Sequence, residues 1–208
     1  MWRPNKFKLK GTRNAFRSDL EMQHLDREAA DQAYKEKKKL LDDYMISKGF
    51  FKHKTNTYIR LNKINVLESI NLQKERYGSR TFTVNILLMP MYLPQDSVSF
   101  GGDRISQIME LPTDVWWDFG DAKTAETSFK NIVEAVDRFV MPWFEKTSDP
   151  ECLKSMVREH KVPGQFTRND YIKWNEVFDS YMELGDVVAE NIERMKLPKA
   201  LIKGHSVS

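Results

Sequence analysis

The feature that most constrains the fold is a run of four β-type segments between residues 50 and 89. The segments cover 50–54, 57–61, 66–74 and 81–89, and they are rich in β-branched and aromatic residues. Short stretches of turn-forming residues separate them. Such short links favour an antiparallel meander, because parallel pairing needs a long crossover. A fifth, short strand is predicted over 104–111.

Side chains alternate in character along the last two of these segments. In 81–89 one face is apolar and the other is mostly polar, and 66–74 shows the same division. The apolar faces are therefore predicted to form the core. If the two strands pair, their polar faces bring four side chains close together: Asn71, Gln73, Thr83 and Asn85.

Helical patterns flank the strands on both sides. A helix rich in Ala, Glu, Lys and Leu is predicted over 27–48, followed by Gly49 in a position that tolerates positive φ. After the strands, Asp121 is predicted to cap a helix whose apolar residues step by three and four as far as Trp143. Pro142 is predicted to bend or end that helix.

Two further helices are predicted near the C-terminus. Asp149 and Pro150 are typical of a helix start, and this helix is predicted to reach residue 160. Thr167 and Asp170 form a capping box for a continuous helix over 167–195, ended by Pro198. Its apolar seam favours packing within the chain over a homodimer, so a monomer is predicted.

These elements together predict an α+β fold. An antiparallel meander of four to five strands is packed by an N-terminal helix and by C-terminal helices. Residues 27–197 are predicted to form a single domain, preceded by a basic arm over 1–26 and followed by a C-terminal tail over 198–208.

Basic charge is concentrated at the N-terminus. The first seventeen residues carry six Lys or Arg and no acid, although the net charge of the whole chain is only +3. Such an arm suits weak association with nucleic acid through phosphate contacts. The rest of the chain is slightly acidic and has no evident groove for stacking bases, so nucleic-acid binding is the weakest of the functional hypotheses.

The cysteine content and the hydropathy of the chain indicate where in the cell the protein is located. The single cysteine, Cys152, cannot form an intramolecular disulfide, and no apolar run approaches the roughly twenty residues of a membrane span. We therefore predict a cytoplasmic protein that makes no membrane contact.

Polar residues of the strands and of the region after them form the first candidate site. This set would become a ligand-binding or enzymatic pocket if a helix covered the polar sheet face. No nucleophile or general base can be assigned, His residues are too far apart for a zinc site, and no phosphate-binding glycine motif occurs. No metal or cofactor is predicted. The candidate residues are Arg60, Asn71, Gln73, Asn85, Arg104 and Asp118.

Two adjacent tryptophans, Trp116 and Trp117, form a candidate interaction loop. Four acids surround them between residues 110 and 121, and paired carboxylates near aromatic platforms also occur in glycoside hydrolases. A structural explanation is favoured: one tryptophan anchors the loop in the core, Asp121 caps a helix and the other acids are solvated.

Several short motifs occur from the first predicted helix to the tryptophan pair. They are Lys48–Lys52, Tyr58–Arg60, Ile70–Lys74, Phe82–Asn85, Arg104 and Trp116–Asp118. Together they resemble an uncharacterised bacterial family, the domain of unknown function 4304. The resemblance covers about residues 28–145 and implies an α+β fold, but it implies no reaction. The helices beyond it, over 146–197, form an extension.

The favoured functional hypothesis is a non-enzymatic protein-binding module, in a role like that of an immunity or inhibitor protein. Two alternatives stay open. One is a small-ligand or enzymatic site on the polar sheet face, and the other is nucleic-acid association through the basic arm.

Overall fold

The chain enters the fold through two helices. The computed structural model describes residues 26–76, 78–93, 102–162, 166–180 and 183–203. Helix α1 covers 26–37 and α2 covers Lys39–Ser47, with only Lys38 between them. Gly49 follows at φ +80°, a conformation that costs glycine little and that turns the chain into the first strand. The predicted helix is thus confirmed, with a single break at Lys38.

Five strands follow one another in an antiparallel meander. They are β1 (Phe51–Lys54), β2 (Thr57–Leu61), β3 (Val66–Lys74), β4 (Thr81–Pro90) and β5 (Asp103–Arg104), and they lie in the order β1-β2-β3-β4-β5. The register places Asn71 opposite Asn85 and Gln73 opposite Thr83. The predicted α+β class, the antiparallel pairing and the proximity of these four residues are confirmed.

The two faces of the sheet differ from the prediction. The face carrying Tyr58, Ile70 and Phe82 is buried, as expected. The opposite face is not simply solvent-exposed, because its half near the end of β4 is apolar and buried at Ile59, Leu67 and Leu87. The last helix packs on β2. Only the other half of this face is polar, so the prediction of one core face and one polar face is wrong for half of the second face.

The predicted fifth strand over 104–111 is also wrong. Only Asp103–Arg104 pairs with β4, and the next residues form a short helix, α3 (Ile105–Ile108). The chain then returns to the same edge of β4 as β6 (Trp117–Asp118), which pairs with Thr81 and Phe82. Ile105, Ile108 and Met109 pack against the core at positions i, i+3 and i+4, which is the spacing of a helical turn.

Gly102 sits where β5 approaches β4 most closely. A Cβ atom at this position would lie 2.1 Å from the backbone oxygen of Ile86. Gly102→Ala is therefore expected to push β5 away from β4 and to lower the free energy of unfolding by about 1–3 kcal/mol. Urea unfolding measures this change.

Gly185 provides the matched control for that substitution. A Cβ atom there meets nothing within 4 Å, and the residue begins a helix. Gly185→Ala should leave stability unchanged or slightly raised. Equal effects of the two substitutions would contradict the close approach at Gly102.

Three α-helices and a π-helical stretch come next after β6. Asp121 caps α4 (Ala122–Ala135) by accepting hydrogen bonds from the backbone of Lys123 and Thr124, as predicted. A π-helical stretch, Val136–Val140, then leads into α5 (Met141–Thr147). Pro142 lies in the first turn of α5 and does not end the helix. At that position the backbone N–H that proline lacks costs no helical hydrogen bond. Asp149 caps α6 (Pro150–Arg158), which confirms that predicted start.

The predicted continuous helix over 167–195 is wrong. The capping box of Thr167 and Asp170 opens α7 (Arg168–Val177), a 3₁₀ turn covers Phe178–Ser180, and α8 is separate at Gly185–Arg194. Gly185 is the first residue of α8, so the interruption of the helix lies before it. The seam residues are nevertheless buried on both sides of the break, at Trp174 and Val188 for example.

A final short helix extends the packed region. Helix α9 (Ala200–Lys203) contacts β2, and Leu201 is buried. It falls within the segment assigned by sequence to a C-terminal tail. None of the helices in the described ranges combines the length and the apolar character that spanning a bilayer requires.

Candidate functional site

A row of four polar residues crosses the second face of the sheet. Thr57, Asn71, Asn85 and Arg104 are register partners on β2, β3, β4 and β5. Because paired residues point to the same side of a sheet, all four side chains share one face. We call these four residues the polar row.

Hydrogen bonds join the polar row from end to end. Arg104 Nη1 donates to Asn85 Oδ1 at 2.6 Å, and Asn85 Nδ2 donates to Asn71 Oδ1 at 3.4 Å. Asn71 Nδ2 then donates to Thr57 Oγ1 at 2.9 Å. Gln73 braces the row, since its Oε1 accepts from both Asn85 at 3.0 Å and Arg104 at 2.9 Å. The Asn71 and Asn85 amides thus use both of their donors on neighbouring groups.

Arg104 ends the row and links it to the loop that follows. Its Nε donates to Asp114 Oδ2 at 3.2 Å, and its guanidinium lies 5.4 Å from the centre of the Trp116 ring. Among the described residues we find no hydrogen-bond partner for its Nη2. Contacts on three sides therefore fix the guanidinium, and one nitrogen is left with free donors.

The segment 110–116, which we call the presented loop, is held firmly although most of its residues are exposed. Asp114 accepts from Ser106 Oγ at 3.1 Å as well as from Arg104, and Leu111 N donates to the Ser106 carbonyl oxygen at 2.9 Å. Leu111 is 42% exposed and Trp116 is 41% exposed. A tethered loop thus carries two large apolar side chains into solvent.

The two tryptophans have different roles. Trp117 is only 8% exposed and lies 6.3 Å from the Phe82 ring, within an aromatic cluster that includes Tyr34 and Phe129. Trp116 points away from that core. The expectation that one tryptophan anchors the loop is confirmed, and Trp117 is the anchor.

Arg60 does not join the other candidate residues. It pairs with Glu68 across β2 and β3 on the opposite face, where its Nη2 lies 2.7 Å from Glu68 Oε2. Burial raises the pKa of Glu68, whereas the ion pair with Arg60 and hydrogen bonds from Asn62 and Ser148 act in the opposite direction. Arg60 therefore serves an ion pair within the sheet, and Ser148, the residue after α5, donates a hydrogen bond to the same Glu68 carboxylate.

Asp118 lies on the face of the polar row but outside the row itself. It pairs with Thr81, four residues along β4 from Asn85, which corresponds to about 13 Å. Its Oδ1 accepts from Gly120 N at 2.5 Å. Four of the six predicted residues, Asn71, Gln73, Asn85 and Arg104, are thus brought together, and Arg60 and Asp118 are not.

Two residues of the site were missed by sequence reasoning. Alternation along β2 could have identified Thr57. It lies two residues before Ile59 and therefore on the same face of the sheet. Asp114 gave no such signal, because the contact with Arg104 depends on how the presented loop folds back. The pairing of Arg104 with Asn85 also gave no signal in the sequence.

A second polar cluster lies on the helical face of the sheet. Asp42 accepts hydrogen bonds from Lys38 Nζ at 2.5 Å, Lys52 Nζ at 2.8 Å and the Tyr58 hydroxyl at 2.5 Å. Burial favours the neutral carboxyl, but these donors outweigh it and hold the pKa of Asp42 below its usual range. Burial also lowers the pKa of Lys38, against the effect of Asp42. This cluster joins α2 to β1 and β2.

An open cleft of about 680 Å³ lies between the β5 edge and the turn joining α6 to α7. His160 and Tyr171 stack at its wall with ring centres 4.6 Å apart, and Lys161 at its rim pairs with Glu159. Its His160, Lys161 and Arg168 side chains are solvent-exposed, unlike the mostly apolar lining of small-molecule sites. Within the described ranges, no group of three His, Cys, Asp or Glu side chains could hold a metal ion.

Comparison with known proteins identifies the family. The family model described as "Domain of unknown function (DUF4304)" matches residues 41–146, from α2 to α5, and this range includes the polar row and the presented loop. No curated protein and no solved structure matches the chain. The match covers slightly more than half of the 208 residues and confirms the resemblance predicted from short motifs. The chain therefore belongs to the DUF4304 family.

Proposed function

We propose that this protein is a non-enzymatic protein-binding module and that the presented loop forms the centre of its binding surface. The observation that carries the proposal is the position of Trp116. Its side chain is 41% exposed, yet the guanidinium of Arg104 lies 5.4 Å from its ring. The polar row in turn fixes that guanidinium through Asn85.

Trp and Arg are the residue types enriched at the energetic centres of protein interfaces. Ordering of side chains is one of the main costs of association, so a tryptophan already held in place loses less entropy when a partner binds. Leu111 adds exposed apolar area, and its backbone N–H is held by a hydrogen bond to the Ser106 carbonyl oxygen. These features favour a protein partner over a small molecule.

The alternative of a ligand pocket on the polar sheet face has less support. The side-chain amides of Asn71 and Asn85 each use both donors on neighbouring groups. The Gln73 amide nitrogen is the main group left for a ligand, since Gln73 Oε1 accepts from two donors. The nucleic-acid alternative depends on the basic arm, which lies outside the described residues. Both remain hypotheses behind the favoured one.

The wider role follows from the same reasoning. We favour an immunity-like or inhibitor-like role in a bacterial cytoplasm, with the protein acting as a monomer. A single, unpaired cysteine, Cys152, suits a reducing compartment. The apolar seam proposed for a dimer is buried within the chain, at Trp174 and Ile192 for example, and this supports a monomer.

Site-specific cross-linking tests the proposal. With p-benzoylphenylalanine in place of Leu111, irradiation in native lysate is expected to capture one stoichiometric protein partner. The same group in place of Ile46, which is 58% exposed on α2, is expected to capture none. Trp116→Ala in the Leu111-labelled protein should remove the cross-link. Equal capture at both positions, or capture that survives Trp116→Ala, would contradict the proposal.

A further inference from the structure

Acidic charge is concentrated around the presented loop. Between residues 105 and 122 the chain has four acids and no Lys or Arg. All four acids, Glu110, Asp114, Asp118 and Asp121, are exposed. They lie on both sides of Trp116 along the chain.

Two of these acids are engaged within the protein. Asp114 forms an ion pair with Arg104, and Asp121 caps α4 through the backbone N–H groups of Lys123 and Thr124. Neither carboxylate is fully available to a partner. Arg104 also places one positive charge beside Trp116, and Asp114 offsets it.

The other two acids have no ion pair within the described residues. Glu110 stands in the turn after α3 at φ +55°, and its backbone N–H donates to the Gln107 carbonyl oxygen at 3.2 Å. The Asp118 carboxylate accepts a hydrogen bond from Gly120 N, and the nearby Arg80 donates to the Gly120 carbonyl oxygen instead of pairing with Asp118. Two exposed carboxylates without an ion pair in the described part of the chain thus flank Trp116 along the sequence.

We infer that the partner bound by the presented loop is a protein with a basic surface, an inference that depends on the proposed function. Lys and Arg side chains of the partner meet Glu110 and Asp118 at the rim, and the indole of Trp116 offers a second attraction for a cation through its ring face. Complementary charge speeds encounter and excludes partners of the wrong sign. The same charges repel nucleic acid from this surface.

Charge reversal tests this inference on the partner captured through position 111. The double variant Glu110→Lys with Asp118→Lys is expected to weaken binding by about tenfold or more, mainly through slower association. The control is Glu134→Lys with Glu190→Lys, which changes the net charge equally at two exposed positions on α4 and α8. This control should change the affinity by less than about threefold.

Salt gives a second readout. Raising NaCl from about 50 to about 300 mM should slow association with the natural protein and should affect the double variant much less, because screening removes the attraction that the variant already lacks. Unchanged or tighter binding of the double variant would overturn the inference. So would capture of an acidic protein, of RNA or of a second copy of this chain.

The outcomes separate the two proposals. Loss of binding in Trp116→Ala combined with normal binding of the double variant would refute the basic partner and leave the binding surface intact. Normal binding of Trp116→Ala would refute the proposed function itself.

Discussion

Asp42→Ala is expected to lower the free energy of unfolding by about 3–5 kcal/mol. The carboxylate accepts hydrogen bonds from Lys38, Lys52 and Tyr58, and Lys38 is almost completely buried. Without Asp42, the Lys38 ammonium is left in a low-dielectric site with only the Tyr58 hydroxyl as a hydrogen-bond partner. Urea or thermal unfolding measures the loss.

Asp43→Ala is the matched control, because Asp43 is the next residue on α2 and is exposed. Its effect should stay within about 0.5 kcal/mol. A similar loss of stability in both variants would show that helix propensity, and not the buried cluster, determines the result.

The stability provided by Asp42 should also depend on pH. Its pKa is held below the value of the unfolded chain, so the folded protein binds this proton less readily. The contribution is therefore fully present above the unfolded pKa of about 3.9 and is lost as pH falls through the lower folded pKa. The stability difference between the natural protein and Asp42→Ala should be constant near neutral pH and shrink below about pH 4.

Trp174→Ala is expected to lower the free energy of unfolding by about 3–5 kcal/mol. The indole is completely buried, and its Nε1 donates to the Tyr92 hydroxyl at 2.6 Å. This contact joins α7, which lies beyond the family match, to the end of β4. Because the extension and the sheet share this core, unfolding of the variant should remain a single transition in urea.

Trp116→Ala is the control of equal size. Trp116 has no place in the core, so its loss should lower stability by about 1 kcal/mol or less, mainly through its contact with Arg104. A large loss here would mean that the presented loop is structural. A small loss in Trp174→Ala, or a separate early transition, would contradict the shared core.

Local patterns predicted much of the sheet. Strand bounds, short links and alternation identified β1 to β4 and placed Asn71 beside Asn85, because these depend on neighbouring residues only. The caps at Asp121, Asp149 and Thr167 were equally local.

The errors came from contacts distant in sequence. The apolar stretch after Arg104 was assigned to a strand, whereas the structure has the short helix α3 there. The seam over 167–195 had correct apolar spacing, yet it folds as two separate helices, α7 and α8. Periodicity identifies which side chains are buried and does not show where a helix is interrupted.

The candidate site shows the same limit. Arg60 and Asn71 both lie in strands, but the registry of β2 against β3 sends them to opposite faces. The contact between Arg104 and Asp114 requires a ten-residue excursion of the chain to fold back. No pattern along the sequence specifies such a return.

The affinity of Trp116→Ala for the partner captured through position 111 tests the central claim most directly. We expect the dissociation constant to rise at least about tenfold, because an exposed, prepositioned tryptophan dominates the surface. Hydrogen exchange would confirm that the variant keeps its fold. A dissociation constant equal to that of the natural protein would contradict the account, since the presented loop would then contribute nothing to binding.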